Sequence, residues 1–343
     1  MVKVRVFQAG DEHRWDRYVN GHADGTFFHL VSWKHVVETT FGHRSWYLIA
    51  EDEEDRMVGV LPLFEIKSLL FGHFVVSTPF AETGGPLTDS DAVTARLLDE
   101  SDTIAKKTKC HYVEFRNRHG MPDLPTKDLY YNFKKEISSS DDANLKAIPR
   151  KSRAMVRKGI KMGLRSEFGN HLLDEFYDIL SKNYHRLGTP VFQKRFFVNF
   201  LKCCGENARI MVVRTPEGRA ASAVLTFYYK NHVIPYYAGS DFRLRHLAPN
   251  DFMYWELMRD ASWKGCHCFD FGRSKKGTGS FHFKKNWGFE PEPLAYQYHL
   301  LDVGEMPDLS PANPKYQRRI EMWRRMPLQA TRVAGPMLSK YLV

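Results

Sequence analysis

The sequence predicts a mixed α/β protein of two domains, and three observations support this. The chain has 343 residues, whereas domains average roughly 150 residues. Segments with the alternating pattern of strands interleave with segments of helical period along the chain. The polar run Ser138–Asp142 separates two halves that share an order of helices, consecutive strands and a closing strand. We therefore predict domains at residues 1–140 and 141–304, each a mixed, mostly antiparallel sheet flanked by helices, and a tail at 305–343.

The apolar and turn-forming residues give the elements of both halves. In the first, strands are expected at Val2–Phe7, Trp46–Glu51, Met57–Ile66, Phe71–Ser77, Tyr112–Arg116 and Tyr130–Ile137, and helices at Asp11–Asn20, Ser32–Phe41 and Asp91–Lys107. In the second, helices are expected at Leu145–Lys161, Leu172–Leu187, Lys194–Cys203, Asp251–Lys264 and Gly279–Trp287, and strands at Arg209–Arg214, Ala220–Tyr229, His232–Gly239, Cys266–Phe271 and Leu294–Leu300. Asn250 is the predicted cap of one helix and Gly265 its end.

Composition excludes several classes of protein. Hydrophobic residues make up 43% and aromatic residues 14% of the chain, which is enough for a packed core. No apolar run approaches the roughly 18 residues that span a bilayer, and the alternating start lacks the apolar centre of a signal peptide. Five cysteines, including the pair in Cys266–Cys268, are too few and too closely spaced for a disulfide framework or a zinc site. We expect a soluble, cytoplasmic protein without a metal.

The net charge of +10 is concentrated in two places. Residues 143–166 carry eight basic and no acidic residues, and residues 305–343 carry a net charge of +4, so the rest of the chain has a net charge of −2. On a helical wheel Arg150, Arg153, Arg157 and Lys161 form one stripe. Such a stripe is typical of an anion-binding face, for phosphates of tRNA, for a nucleotide-linked precursor or for a peripheral contact with the inner membrane.

The tail also contains apolar residues, unlike a disordered basic segment. Pro307, Pro311 and Pro314 mark a connector, after which Trp323, Met326 and other apolar residues stand among arginines. We therefore expect the tail to dock, and the first domain is the predicted partner.

The most distinctive segment for chemistry lies in the second half. Tyr236–Asp241 is followed by Pro249–Asn250, by Phe269–Ser274 and by a turn rich in glycine and lysine at Gly277–Gly288. Glycines beside Arg273, Lys275 and Lys276 at the end of a strand can hold an anionic or carbonyl-bearing ligand against backbone amides. An ordinary solvated turn is the alternative interpretation.

These motifs resemble those of the FemAB family of transferases. The resemblance rests on the aromatic-Gly-Ser strand, Pro-Asn at a helix start, Phe-Asp-Phe-Gly-Arg-Ser, Phe-Lys and Trp-Gly, all within Tyr236–Gly288. Thr83–Leu87 resembles a Gly-Gly loop of the family's first domain, and Lys151–Arg153 its basic helix. The tail motif Trp323–Leu328 is similar to the branch linked to PEP-CTERM/exosortase gene clusters.

The resemblance implies two tandem GNAT-like domains and acyl transfer, typically of an amino acid from aminoacyl-tRNA to an amine of a peptidoglycan precursor. It implies no cofactor besides the acyl donor. The catalytic candidates are Phe283, Lys284 as a stabiliser of the oxyanion, and Asp270 as a general base. The substrate-binding candidates are Tyr237, Arg273, Lys275, Asn250, Gly84, Gly85 and Trp33.

Several alternatives stay open at this point. Val37 stands where family members often carry a lysine after Trp33, so the acceptor is a muropeptide, an exopolysaccharide precursor or another cell-envelope precursor. Acyl-CoA is a rival donor, although Arg243–Asn250 lacks the glycines that pyrophosphate-binding loops of GNAT enzymes usually carry. A non-catalytic protein that binds RNA or a membrane surface on the same fold is a further alternative.

Overall fold

The computed structural model describes residues 2–307 and 314–343, without the side chains of 314–316. The predicted connector therefore lies mostly outside the described residues. The chain forms two compact units. The first unit runs to Tyr130 and includes Pro293–Pro307 and Lys340–Val343, and the second contains Tyr131–Glu292 and the tail to Ser339.

The first 130 residues contain a strand, two helices, a run of strands, a long helix and two further strands. Their bounds are β1 Lys3–Val6, α1 Glu12–Gly21, α2 Val31–Phe41, β2 Arg44–Ser45, β3 Leu48–Glu51, β4 Met57–Leu61, β5 Leu63–Ser68, β6 Gly72–Ser77, β7 Leu87–Thr88, α3 Asp91–Thr108, β8 Tyr112–Asn117 and β9 Thr126–Lys127.

The remaining elements follow in chain order. Their bounds are β10 Tyr130–Asn132, β11 Lys134–Glu136, α4 Asp141–Ala147, α5 Arg150–Lys161, β12 Arg165–Phe168, α6 Leu173–Leu187, α7 Lys194–Cys204, β13 Ala208–Arg214, β14 Ala220–Tyr229, β15 His232–Ser240, α8 Pro249–Trp263, β16 Cys268–Asp270, β17 Ser274–Lys275, α9 Gly279–Asn286, β18 Glu292–Pro293, β19 Ala295–Leu300, α10 Pro314–Arg325 and α11 Leu328–Ser339.

The first unit contains two sheets, ordered β1-β3-β4-β7 and β2-β5-β6-β8-β19-β9. The segment predicted as one strand at Met57–Ile66 is two strands, because Pro62 cannot donate a ladder hydrogen bond. β4 belongs to the four-stranded sheet and β5 to the six-stranded one. A buried cluster that includes Leu48, Leu61 and Leu97 packs between these sheets and α3.

The second unit is built on the six-stranded sheet β11-β16-β15-β14-β13-β12. Every pair in it is antiparallel except β15 with β16. The main core cluster joins this sheet to α5, α8 and α9 through residues such as Val156, Phe252 and Phe281. This mixed, mostly antiparallel sheet with flanking helices confirms the predicted fold class.

Both units contain the same strand–helix–strand arrangement. In the first unit β6 is followed by the two-residue strand β7, by α3 and by β8, and β6 and β8 are parallel. In the second unit β15, α8 and β16 do the same. The repetition agrees with the shared order of elements seen in the sequence.

Two helix predictions in the second unit were wrong at their starts. The helix expected at Leu145–Lys161 is two helices, because Ile148 is held extended by the proline that follows it and Pro149 begins a new helix. Asn250 does not cap α8. Ala248, in the left-handed conformation with φ 58°, is the cap residue, and Pro249 occupies the first turn.

The units differ from the predicted domains at three places. The division falls at Tyr130, ahead of the polar run. Pro293–Pro307 belongs to the first unit because β19 is hydrogen-bonded between β8 and β9. The tail helices pack on α6 of the second unit, where His185 Nε2 lies 2.8 Å from the Met326 carbonyl and Arg332 Nε donates to Ser181 Oγ over 2.9 Å. The tail was predicted to dock on the first domain, and only Lys340–Val343 belong to the first unit.

The described residues include no helix with the length and apolar character that crossing a membrane requires.

Candidate functional site

The centre of the candidate site is the point where β15 and β16 separate. Their parallel pairing covers only His232 with Cys268 and Val233 with Phe269. Beyond it, β15 continues to Ser240. β15 also has a register shift against β14 at Tyr236, and such bulges often redirect side chains near functional sites. Ligands of open α/β sheets bind at the carboxyl ends of strands, which is where these two strands diverge.

A buried carboxylate holds the turn that follows β16. Asp270 is buried, and its Oδ1 accepts the backbone N–H of Gly272 over 2.9 Å. Its Oδ2 accepts the side-chain amide of Asn132 over 3.4 Å. Gly272 has a φ of 66°, a conformation that favours glycine. These bonds fix the direction of the chain into Arg273, which is half-buried.

Lys284 is anchored to the same turn. Its side chain is buried in α9, and Nζ donates to the carbonyl oxygens of Gly272 at 2.7 Å and Arg273 at 3.1 Å. The ammonium also lies 5.3 Å from the centre of the Phe133 ring. Bonds to a charged donor are the stronger kind, so they hold this positive charge in a fixed position. The turn and the ammonium form one preorganised unit.

Phe283 belongs to an aromatic cluster beside this lysine. Its ring lies 5.6 Å from that of Tyr254 and 6.0 Å from that of Trp287, measured between ring centres. Trp287 is buried and packs edge-on against Phe271. The cluster holds α9 against α8 and the end of β16, and thereby supports the position of Lys284.

Tyr237 places an unpaired polar atom within an aromatic cluster on β15. The residue is 6% exposed and packs edge-on against Phe192, Phe196 and Phe197. Burial raises its pKa well above the ordinary value, so the phenol stays neutral. Within the described part of the chain its hydroxyl makes no hydrogen bond. A buried hydroxyl without a partner is costly, which makes Tyr237 a candidate contact for a ligand.

The start of α8 is occupied by a carboxylate that the sequence prediction missed. Asp251 Oδ1 accepts the indole N–H of Trp287 over 3.0 Å, and its carboxylate also interacts with its own backbone N–H. Burial raises the pKa of Asp251. Pro249 in this turn has no N–H to offer. Asn250 lies between them in the first turn of α8. The acidic residue directly after Pro-Asn in the sequence could have indicated that a carboxylate lies at the start of α8.

A groove of about 600 Å³ lies where the starts of α5 and α8 meet the end of α9. Arg150 and Lys151 line it from α5, and Phe283 and Lys285 line it from α9. Ser152 Oγ donates to the Asn286 carbonyl over 2.7 Å and joins the two helices at its edge. Lys285, which was not a predicted site residue, thus lies beside the basic helix. The groove combines three cationic side chains with the Asp251 carboxylate.

The basic stripe lies on the outer side of α5. Arg150, Arg157 and Lys161 are exposed, and Arg153 is half-buried with Nη1 donating to the Lys146 carbonyl over 3.3 Å. The buried side of α5 is narrow, because a Cβ at Gly159 would lie only 2.7 Å from the Cβ of Phe252 on α8. Val156 is fully buried there, whereas Met155, Ile160 and Met162 are 37–48% exposed.

The predicted substrate-binding residues of the first unit are buried packing residues. Trp33 is fully buried, and its indole N–H donates to the Pro79 carbonyl over 3.0 Å. Gly84 has a φ of 154°, and a Cβ on it would lie 1.8 Å from Thr78 Oγ1. A Cβ on Gly85 would lie 1.8 Å from Asn117 Oδ1. Close packing is a sufficient reason for each of these residue types.

In the first unit, the corresponding space at the ends of the parallel strands β6 and β8 is filled by the loop that contains Gly84 and Gly85. The backbone N–H groups of Gly84 and Gly85 both donate to the Arg116 carbonyl, at 3.0 and 3.1 Å. The buried Arg116 guanidinium donates to the Ala81 carbonyl and to Glu114. The sequence prediction missed this buried pair. Because this loop fills the ends of β6 and β8, the second unit is the better candidate for chemistry.

Lys275 lies in β17, and its carbonyl accepts the hydroxyl of Thr278, whose oxygen in turn caps α9. The described residues contain no group of three or more His, Cys, Asp or Glu side chains placed to hold a metal ion.

Comparisons with known proteins place this site in a known type of domain. Residues 146–285 match the family described as acetyltransferase (GNAT) domain. The sequence has no match among curated proteins. The candidate residues from Arg150 to Lys284 fall within the matched segment.

Solved structures extend the likeness to nearly the whole chain. FemX superposes with a TM-score of 0.68 at 16% identity, over 92% of this chain and 99% of that chain. A tandem GNAT protein from the clavulanic acid biosynthesis pathway gives 0.56 at 10% identity, over 90% and 100%. The C-terminal domain assigned to a lysylphosphatidylglycerol synthetase of Agrobacterium fabrum gives 0.56 at 13%, over 86% and 92%. The fold is that of tandem GNAT proteins.

Proposed function

We propose that this protein transfers an aminoacyl group from aminoacyl-tRNA to an amine of a cell-envelope or exopolysaccharide precursor. A GNAT-type acyltransferase domain on a tandem GNAT fold is the basis of the proposal. The observation that carries it is the distribution of charge around the groove that the starts of α5 and α8 share. The first turn of α8 contains Pro249 and the Asp251 carboxylate, while Arg150, Lys151 and Lys285 line the rest of the groove.

The α8 start argues against acyl-CoA as the donor. A pyrophosphate binds a helix start through free backbone N–H groups and the positive end of the helix dipole. Pro249 removes one N–H, and the Asp251 carboxylate places a negative group at the same turn. An incoming pyrophosphate would be repelled there.

The α5 region favours a long polyanion. Arg150, Lys151 and Lys285 line the groove, and Arg157 and Lys161 continue the positive charge along the exposed side of α5. An extended row of cations suits the repeated phosphates of a nucleic acid, because each contact adds to the electrostatic attraction.

In the proposed reaction the donor carbonyl lies near Lys284, beyond the separation of β15 and β16. The acceptor amine attacks that carbonyl and a negative charge develops on its oxygen. The ester bond to the tRNA ribose then breaks, and the proton that the amine loses ends on the leaving ribose oxygen. The fixed ammonium of Lys284 stabilises the oxyanion. The Tyr237 hydroxyl is a further candidate donor to the substrate, and Asp270 holds the turn on which Lys284 depends.

The tail motif and Val37 bear on the identity of the acceptor. The likeness of the tail to the PEP-CTERM-linked branch, and Val37 in place of a lysine, favour an exopolysaccharide precursor over a muropeptide.

Binding measurements at several salt concentrations test the donor. The protein is titrated with total tRNA and, separately, with acetyl-CoA. We expect tRNA affinity to fall steeply with salt, and Arg157→Gln to reduce the slope of log K against log salt by about one. Lys202→Gln, an exposed lysine on α7, is the matched control and should leave the slope unchanged.

Two results would contradict the proposal. Saturable micromolar binding of acetyl-CoA that is insensitive to Arg157→Gln would favour the acyl-CoA enzyme instead. Equal effects of Arg157→Gln and Lys202→Gln on the salt slope would show that α5 is not the nucleic-acid contact.

A further inference from the structure

The hairpin between β5 and β6 ends in two exposed leucines. Leu69 and Leu70 are 107% and 65% exposed, whereas the strands behind them are largely buried. Scattered apolar residues on a surface need no explanation, but adjacent, fully exposed leucines at the tip of a hairpin are unusual.

The tip is built as an ordered turn. The Ser68 hydroxyl oxygen accepts the backbone N–H groups of both Leu70 and Phe71, each over 3.2 Å. Gly72 supplies the positive φ of 86° that returns the chain into β6. Because these two backbone donors are satisfied by Ser68, they need no water at the tip. This lowers the cost of moving the tip into a medium of low polarity.

An exposed lysine and the ring of a histidine lie next to the tip. Lys67 precedes it and is 68% exposed. The ring of His111 lies 3.5 Å from the position of a Cβ on Gly72, and Lys109, two residues before His111 in the chain, is exposed. The carboxylates here are already paired, Glu65 with Lys67 and His73, and Asp302 with His111.

These features fit an anionic lipid bilayer as the partner. A protein interface needs roughly 800 Å² on each side, which is far more than a two-residue tip can offer. Insertion into a bilayer needs only apolar side chains that protrude, with cations at the level of the headgroups. We infer that the Leu69–Leu70 tip inserts into the interface of an anionic membrane and anchors the first unit to it.

Vesicle binding by the full chain tests this inference and needs neither an acyl donor nor an acceptor, so its result is separate from that of the proposed reaction. Co-sedimentation is measured with vesicles of phosphatidylethanolamine and phosphatidylglycerol, and with phosphatidylcholine vesicles. The variant L69S/L70S removes the apolar tip. Its matched control, V333S/M337S, changes two exposed apolar residues that are one helical turn apart on α11 and are 74% and 68% exposed.

We expect binding to phosphatidylglycerol vesicles that falls about 10- to 100-fold in L69S/L70S and is unchanged in V333S/M337S. Both variants should melt at the temperature of the wild type, because all four side chains are exposed. Phosphatidylcholine vesicles should bind the wild type more weakly.

Several outcomes would overturn the inference. One is wild-type protein that does not bind phosphatidylglycerol vesicles, and another is equal binding by L69S/L70S and wild type. A loss of binding in V333S/M337S alone would assign the contact to the tail. If sedimentation showed a dimer that L69S/L70S dissociates, the tip would be covered by a second copy of the chain instead.

Discussion

Replacing Lys284 by methionine tests the centre of the candidate site. Methionine keeps most of the length and apolar character of the side chain but removes the ammonium. Two buried carbonyl groups, those of Gly272 and Arg273, then lose their donor. We expect the variant to be both less stable and less active, and a separate experiment measures each effect.

The loss of stability follows from the two hydrogen bonds. A bond to a charged group contributes about 1.5–3 kcal/mol, and two such bonds are lost. The variant also gains some stability, because methionine has no charge that must be removed from water when the protein folds. This gain offsets part of the loss, by up to several kcal/mol. We expect a net loss of about 2 kcal/mol, or roughly 4–8 °C in Tm for a unit of this size. Urea unfolding followed by circular dichroism measures it, with the exposed neighbour Lys285→Met as the control.

The loss of activity follows from the missing charge. Removing one stabiliser of an oxyanion lowers kcat by about 10²- to 10³-fold. Turnover is compared well below the Tm of the variant, so that the fraction folded does not enter. A Tm equal to that of the wild type would show that the ammonium does not hold the turn. Equal turnover would remove Lys284 from the mechanism, whatever the stability.

Two further predictions concern stability away from the site. Arg5 binds the carboxylates of Asp11 and Glu51 and thereby lowers both pKa values, so its stabilisation is present above their ordinary pKa values and is lost as the pH falls through the lowered ones. Arg5→Met should lower the free energy of unfolding by about 2–3 kcal/mol at pH 7. In urea titrations the difference between variant and wild type should narrow below about pH 4. A difference that stays constant with pH would exclude these carboxylates as the cause. Gly335→Val should lower Tm and speed tryptic cleavage of the tail, because a Cβ there lies 2.9 Å from the Val191 carbonyl oxygen; an unchanged digestion pattern would show that α11 does not depend on this contact.

The sequence was sufficient for the fold class, and it singled out the segment that forms the candidate site. Alternation and helical period depend only on neighbouring residues, so they located most strands and helices. The motif from Tyr236 to Gly288 covers the end of β15, the turn after β16 and Lys284, which lie together in the candidate site. Proline was underestimated. Pro62, Pro149 and Pro249 each moved an element boundary, although their effect on the backbone is local.

Only the tertiary structure decided which of these residues meet. That Asp251 binds Trp287, and that Lys285 lies in a groove with Arg150, depends on how α5, α8 and α9 pack. The return of β19 to the first unit and the packing of the tail on α6 are likewise contacts between distant segments. The sequence determines such contacts only through the sum of many small packing energies, which no local pattern displays. Patterns near each residue therefore predicted most of the elements and the candidate residues, while the position of each charge relative to its partners required the folded chain.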